Sequence, residues 1–354
     1  MNSIDFFSTP NFKNLTLIDT SKMSKPEWLA ARYEAGIGGS DVATIMGKNK
    51  YKASAQLFME KIGLMDDSVT ENEAMFWGTV HEPNIVKYWQ YHDGSPSGYI
   101  DNFRNGDMIR KAWNVSAIIK NPLYPWLAAN IDAGFVHDGL AAPLECKTIS
   151  GHAADMWTNK IPPMYLIQLH TYMVVLTAEY GEIATLRDGN QFEVLPFDMS
   201  SSIADSILGE TKSFYDKVLT GRKIVSDWKE TIKSVKDPIT LNALRDEMLA
   251  RVNEYLPKPD GSSAYSEYLK SRFKEDNGVA LDAQPEHYDI VREMLDLQNR
   301  QEQLKTELEL RKNILKTHMQ EAQVLQFGAD GGRIVWRTDA RGVRSFHWDK
   351  VRIS

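Results

Sequence analysis

The stretch 127–149 constrains this chain more than any other. Residues 127–136 and 144–149 are rich in apolar and β-branched side chains and read as successive strands joined by a turn. An acid, Asp132, lies in the first of them, and Glu145-Cys146-Lys147 lies in the second. Side chains alternate across a strand, so Glu145 and Lys147 share one face and Cys146 points to the other. With Asp132 beside them, two carboxylates converge next to an ammonium. Oxygen ligands at that density suit Mg²⁺ or Mn²⁺. The pattern alone also fits an exposed strand face with a surface ion pair, which is common and worth little energy.

The surrounding pattern places this pair in a mixed α/β region. Helices are expected over 26–35, 40–46 (capped by Ser40 or Asp41), 54–63 (capped by Ser54) and 71–90, with Pro83 able to bend or divide the last. A strand is expected over 113–119. After the Glu-x-Lys strand, Pro162 and Pro163 open a helix to about 177. Residues 182–186 and 192–195 flank a hairpin turn at Asp188-Gly189, and a closing helix spans 200–219 with Gly221 as its stop.

Beyond residue 225 the texture changes. Pro257-Lys258-Pro259-Asp260-Gly261 is rich in turn formers. Ile290, Met294, Leu297, Gln301, Leu304, Leu308, Arg311 and Leu315 alternate steps of four and three, a heptad seam with two polar interruptions. That predicts a long helix packed on a partner helix. Residues 332–353 read as an Arg-rich β-hairpin. The domains expected are therefore 1–225 and 226–354.

Charge and cysteine content narrow the function classes. The formal charge is -7, and one cysteine, Cys146, excludes internal disulfides, Cys-rich zinc sites and four-cysteine iron–sulfur clusters. A single thiol and the lack of a signal-peptide pattern point to the cytoplasm. No apolar run is long enough to span a membrane. Residues 327–354 hold six Lys/Arg and three Asp, so they carry +3 and the rest carries -10. A net acidic chain does not have the usual nucleic-acid footprint. No G-x-x-x-x-G-K-[ST] loop is present, so nothing supports a helicase.

Other local patterns add chemistry. Gly36-Ile37-Gly38-Gly39-Ser40-Asp41 is a Gly-rich turn running into a helix start, able to present N–H groups and a hydroxyl to a phosphate. Trp28 and Arg32 precede it. Glu82 lies mid-helix in Trp77-Gly78-Thr79-Val80-His81-Glu82-Pro83, and Gln168 lies in the apolar run Tyr165-Leu166-Ile167-Gln168. His81 and His170 are lone histidines, more often structural than ligating. Trp77, Trp89, Trp126 and Trp157 read mainly as core residues, with Trp157 a candidate base-stacking platform.

Taken together, W-x-x-x-R with G-I-G-G-S-D, then W-G-x-x-x-E-P, then D-(12 residues)-E-x-K, then Y-x-x-Q resembles the YqaJ-like viral recombinase family. It is more distantly similar to lambda exonuclease and RecE of the PD-(D/E)xK superfamily. The resemblance covers roughly residues 26–220, and the later linker, helices and hairpin are similar too. It implies an α/β restriction-endonuclease-like core, a central mixed sheet flanked by helices, with a C-terminal helical hairpin or coiled-coil extension and a small β-hairpin. It implies a Mg²⁺-dependent exonuclease of phage recombination that resects double-stranded DNA ends 5′ to 3′ for an annealing protein of the Beta or RecT type, working as a homo-oligomeric ring. Asp132, Glu145, Glu82 and the Cys146 main-chain carbonyl would hold the metal (Mn²⁺ substituting for Mg²⁺). Lys147 would be the catalytic lysine, Gln168 would touch the attacking water or Lys147, and Arg32 and Ser40 would hold the DNA 5′-phosphate. Nucleases of the RecB type often carry a metal-ligating histidine at the position of His81. The chain departs from the family at Asn130-Ile131-Asp132-Ala133, where Ser-Pro-Asp-Gly is usual, and at Cys146, usually aliphatic. The alternatives are an endonuclease or RecB-like single-strand nuclease, and a non-catalytic DNA-binding adaptor.

Overall fold

The computed structural model describes residues 4–66, 72–95, 98–151, 161–276, 278–328 and 331–349. The chain forms two compact units, Met1–Lys274 and Glu275–Ser354.

The first unit is built on a mixed sheet of order β5-β6-β7-β8. Strands β5 (Ala133–His137) and β6 (Leu140–Ile149) are antiparallel. They are joined by Asp138 and Gly139, both at positive φ (46° and 81°). That is the two-residue hairpin turn Asp-Gly favours, and it falls just past the single strand expected over 127–136. Strand β6 runs parallel to β7 (Tyr180–Arg187), and β7 turns back into β8 (Gln191–Asp198) through Asp188-Gly189, as the turn residues predicted. Parallel strands need a crossover, and helix α6 (Pro163–Leu176) supplies it.

Helix α6 is buried along most of its length. Leu169 and Met173 pack with Ile183 on the sheet face that carries Glu145. Helix α4 (Glu73–Tyr91) covers the other face, where Ile85 and Trp89 meet Phe135, Leu144, Cys146 and Ala184. Pro83 lies inside α4 and does not divide it. Trp77 is 47% exposed, so it is not a core residue, whereas Trp89 is fully buried.

A second sheet, β1-β3-β4-β2, comprises Thr16–Asp19, Ala117–Lys120, Leu127–Ala129 and Ile37–Gly38. The expected strand over 113–119 narrows to β3, with Trp113 making only an isolated bridge to Gly134. The expected 127–136 strand is two, β4 and β5, in different sheets. The chain changes sheet at Asn130-Ile131-Asp132, and this break frees Asp132 from both ladders.

Helix α1 (Lys25–Ala35) leads through β2 into α2 (Gly39–Ile45), and α3 (Ser54–Lys61) follows. Ser40 and Ser54 lie inside their helices rather than capping them, since the caps are Gly38 and Ala53. Helix α5 (Gly98–Asn105) was not expected.

Helix α7 (Ser201–Ile232) passes well beyond the expected stop at Gly221. There a Cβ would lie 2.7 Å from Ile62 Cγ2, so the glycine serves close packing on α3. The expected boundary at 225 thus falls inside α7. Helices α8 (Pro238–Asn253) and α9 (Ser263–Arg272) return to the same core, burying Met248, Val252, Tyr265 and Tyr268. They start at side-chain caps from Asp237 and Ser262.

The second unit comprises α10 (Pro285–Met319) and an antiparallel sheet β11-β10-β9. The expected hairpin is β10 (Arg333–Thr338) with β11 (Arg344–Asp349), extended by β9 (Val324–Gln326). The heptad positions Ile290, Met294, Leu297 and Leu304 are each more than half exposed. Among the described residues of this unit no second helix pairs with α10. A heptad pattern fixes which face is apolar, not where its partner comes from. No helix of the described residues is long and apolar enough to cross a membrane.

Candidate active site

The ladder register explains how the acids meet. Ala133 pairs with Leu144, so Asp132, one residue earlier, comes level with Glu145. Asp132 Oδ2 accepts the Cys146 backbone N–H at 2.7 Å. That N–H lies just past the end of the β5 ladder and would otherwise be unpaired.

Glu145 is fully buried. Its Oε1 accepts from Lys147 Nζ, and its Oε2 is buried with no hydrogen-bond partner. The Lys147 ammonium also faces the Tyr165 ring, 5.1 Å from its centroid. Glu82 approaches from α4, which passes over the end of β6: a Cβ on Gly78, one turn before Glu82, would stand 3.7 Å from Thr148 Oγ1.

The charges are strongly interdependent. Burial, and then the neighbouring Asp132, push the Glu82 carboxyl up to about 7, against the pull of Lys147. Burial also raises Asp132 and Glu145, Glu145 being raised further by Asp132 and Glu82. Burial alone would lower Lys147, but Glu145 and Asp132 outweigh it and hold the ammonium firmly protonated. Three carboxylates that resist ionising together, one with an orphaned buried oxygen, are the donor set a divalent cation would complete. As positioned here, no three His, Cys, Asp or Glu side chains among the described residues are arranged to hold a metal ion. The Cys146 side chain packs on the opposite face in the α4 core, where burial raises its thiol.

Gln168 is half-buried on α6, and its amide donates to the Tyr172 hydroxyl at 2.8 Å. Tyr172 was not anticipated. Its signal is the i, i+4 spacing from Gln168 on one helix face. Its ring rests on Gly39, where a Cβ would fall 2.4 Å from Cε1. Burial first, then Glu145 and Asp132, push its hydroxyl well up, while Arg32 acts in the opposite direction. Tyr172 thus joins Gln168 on α6 to Gly39 at the start of α2.

In that second cluster, Arg32 donates to Ser40 Oγ at 2.5 Å and stands 3.6 Å from Asp41 Oδ1. Asp41 Oδ2 pairs with Lys61 Nζ at 3.0 Å and accepts the Gly38 N–H at 3.1 Å. Burial opposes ionisation of Asp41, but Lys61 and Arg32 overcome it and hold its carboxyl below the usual range. A cavity of about 320 Å³ opens beside Arg32, Asp41 and Lys61. Asp41 and Lys61 were missed as partners because they are 20 residues apart in sequence.

Of the remaining candidates, His81 stacks on Trp77 at 5.8 Å, and His170 is buried with Nδ1 2.9 Å from the Leu166 carbonyl. Trp157 lies outside the described residues.

Residues 27–180 match the family described as the YqaJ-like viral recombinase domain. The YqaJ protein of Bacillus subtilis (strain 168) is 29% identical over 312 residues, spanning 87% of this chain and 82% of that protein. Among solved structures, an alkaline exonuclease from Laribacter hongkongensis aligns with TM-score 0.46 and 20% identity over 59% of this chain and 100% of that one. A phage related exonuclease from Haemophilus somnus 129PT aligns with TM-score 0.38 and 11% identity, over 52% and 95%.

Proposed function

We propose that this chain, whose residues 27–180 match the YqaJ-like viral recombinase domain, is a divalent-metal-dependent deoxyribonuclease. It resects double-stranded DNA from an end, 5′ to 3′, and leaves a 3′ single strand for an annealing protein of the Beta or RecT type. The observation that carries the proposal is the buried, unpartnered Glu145 Oε2 set beside Asp132 and Lys147.

Asp132, Glu145, the Cys146 carbonyl and Glu82 would hold Mg²⁺, with Mn²⁺ able to substitute. When bound, such an ion acidifies a water and neutralises charge on a phosphodiester. Lys147, kept protonated by its two carboxylate neighbours, places a fixed positive charge where negative charge builds on the phosphate. Gln168, steadied by Tyr172, orients the attacking water or Lys147. Arg32 and Ser40, already hydrogen-bonded to each other, grip the terminal 5′-phosphate and set polarity. A homo-oligomeric ring in the cytoplasm would keep the enzyme on its strand.

The test uses blunt linear duplex labelled at the 5′ or the 3′ end, and covalently closed circular duplex, each with Mg²⁺. Wild type should release nucleotides from the 5′ end and spare the circle. Cleavage of the circle would replace the exonuclease with an endonuclease. Activity unchanged in both Lys147→Ala and Glu145→Ala would remove the nuclease assignment.

A further inference from the structure

The sheet of the second unit has two unlike faces. Strand alternation puts Ile334, Trp336, Phe346 and Trp348 on one side and Arg333, Val335, Arg337, Ser345 and His347 on the other. The aromatic side is partly covered by the unit itself, with Trp348 left 55% exposed. Ile334 is fully buried, the Lys316 ammonium from α10 sits 5.8 Å from the Phe346 ring, and Arg344 stacks on Trp336 at 3.7 Å. Arg344 also donates to the Gln320 and Ala322 carbonyls after α10, at 2.8 and 3.1 Å.

The opposite side is open. Two cavities of about 330 and 580 Å³ lie on it, and Arg337 and His347 line both. Arg333 lines the first, and Arg341, from the β10–β11 turn, lines the second. Arg333 pairs with Asp349 at 2.7 Å and Arg341 with Asp339 at 2.9 Å. Arg337 makes no ion pair among the described residues. The face thus carries three guanidiniums against two carboxylates, in the +3 segment of a chain that is otherwise -10. Exposed ion pairs are weak and screened, so a polyanion can take over the arginines that Asp339 and Asp349 now hold.

We propose that this open sheet face is a DNA-binding site separate from the active site, and that it takes the phosphate backbone of duplex DNA. Charge complementarity selects a polyanion, and duplex DNA presents one negative charge for about every 1.7 Å of its axis. Single strands are usually gripped by stacking bases on aromatic side chains. This face offers no Trp, Phe or Tyr, since Trp336, Phe346 and Trp348 all belong to the other side. The contact is therefore with backbone and independent of sequence. The choice of DNA as the polyanion rests on the nuclease proposal above.

Binding is measured on the full chain in EDTA, by fluorescence anisotropy of a labelled duplex across a salt series, so that no hydrolysis enters. Arg333→Gln/Arg337→Gln/Arg341→Gln should weaken duplex binding about tenfold and lower the log–log salt slope by about 2 to 3. The triple lysine variant should keep most of both. Arg337→Gln alone, which breaks no ion pair, should lower the slope by about 1. Unchanged affinity and slope in the glutamine variants would overturn the site, as would a loss confined to single-stranded DNA. A chain that cleaves no DNA but shows these salt slopes would sink the nuclease proposal and leave this one standing.

Discussion

The Asp132 carboxylate accepts the backbone N–H of Cys146, so an acid from the break between β4 and β5 is tied to the middle residue of the Glu-x-Lys strand. This bond pins the Asp132 side chain to the main chain of β6 beside Glu145. Pre-set geometry of that kind is what a metal-dependent site needs.

Lys147→Ala and Glu145→Ala should each reduce hydrolysis of linear duplex by about 10²-fold or more, the usual cost of removing a fixed charge from a reacting centre. Circular dichroism should show both variants folded. Since Lys147 also neutralises Glu145, Lys147→Ala should raise the Glu145 carboxyl still further.

Stability should depend on pH through Glu82 and Glu145. Both carboxyls lie above their ordinary values in the folded chain. Folding therefore favours their protonated forms, and that stabilisation is complete below the ordinary carboxylate range. It is lost as pH rises through the folded values, about 7 for Glu82. The metal-free protein should show a falling Tm between about pH 4.5 and 8 from this source. Mg²⁺ binds the ionised forms, so its Tm increment should be larger at pH 8.5 than at pH 5.5. Equal increments at both would contradict the assignment of these carboxylates as ligands.

Gly39→Ala should destabilise the protein by roughly 1–3 kcal/mol, the range for forced overpacking. Its Cβ would intrude to 2.4 Å from Tyr172. Because Tyr172 holds Gln168, hydrolysis should slow as well. Urea midpoints and initial rates on one preparation would show whether the two losses go together.

Glu182 is buried on β7, where it accepts from Trp89 Nε1 at 2.5 Å and the Tyr180 hydroxyl at 2.9 Å and pairs with Arg110 at 3.0 Å. Arg110 in turn lies 3.8 Å over the Trp89 ring. Glu182→Leu strands a partly buried guanidinium and should cost about 3 kcal/mol. Arg110→Met with Glu182→Leu should recover much of it. A double variant no more stable than the single one would mean that Trp89 and Tyr180, not the ion pair, carry the cost.

Much of the core was legible because its signals are local. The Glu-x-Lys alternation, the Asp188-Gly189 hairpin and the proline-started α6 depend on residues close in sequence, and each formed as expected. Two expectations failed where packing overrode a local cue. Gly221 serves contact with Ile62 instead of stopping a helix, and the 127–136 run changes sheet at Asp132.

By itself, the sequence determined which chemistry is available: its alternation put Glu145 and Lys147 on one strand face, and its heptad period put an apolar stripe on α10. Only the tertiary structure decided that Asp132, outside both ladders, reaches Cys146, that Tyr172 packs on Gly39 while holding Gln168, and that Asp41 holds Arg32 and Lys61 together. It also decided that the basic face of the last sheet stays open while Ile334 on its other face is buried in the unit. Periodicity reports the direction of a side chain relative to its own backbone. What that side chain meets is set by contacts between distant segments, whose closure no local pattern encodes.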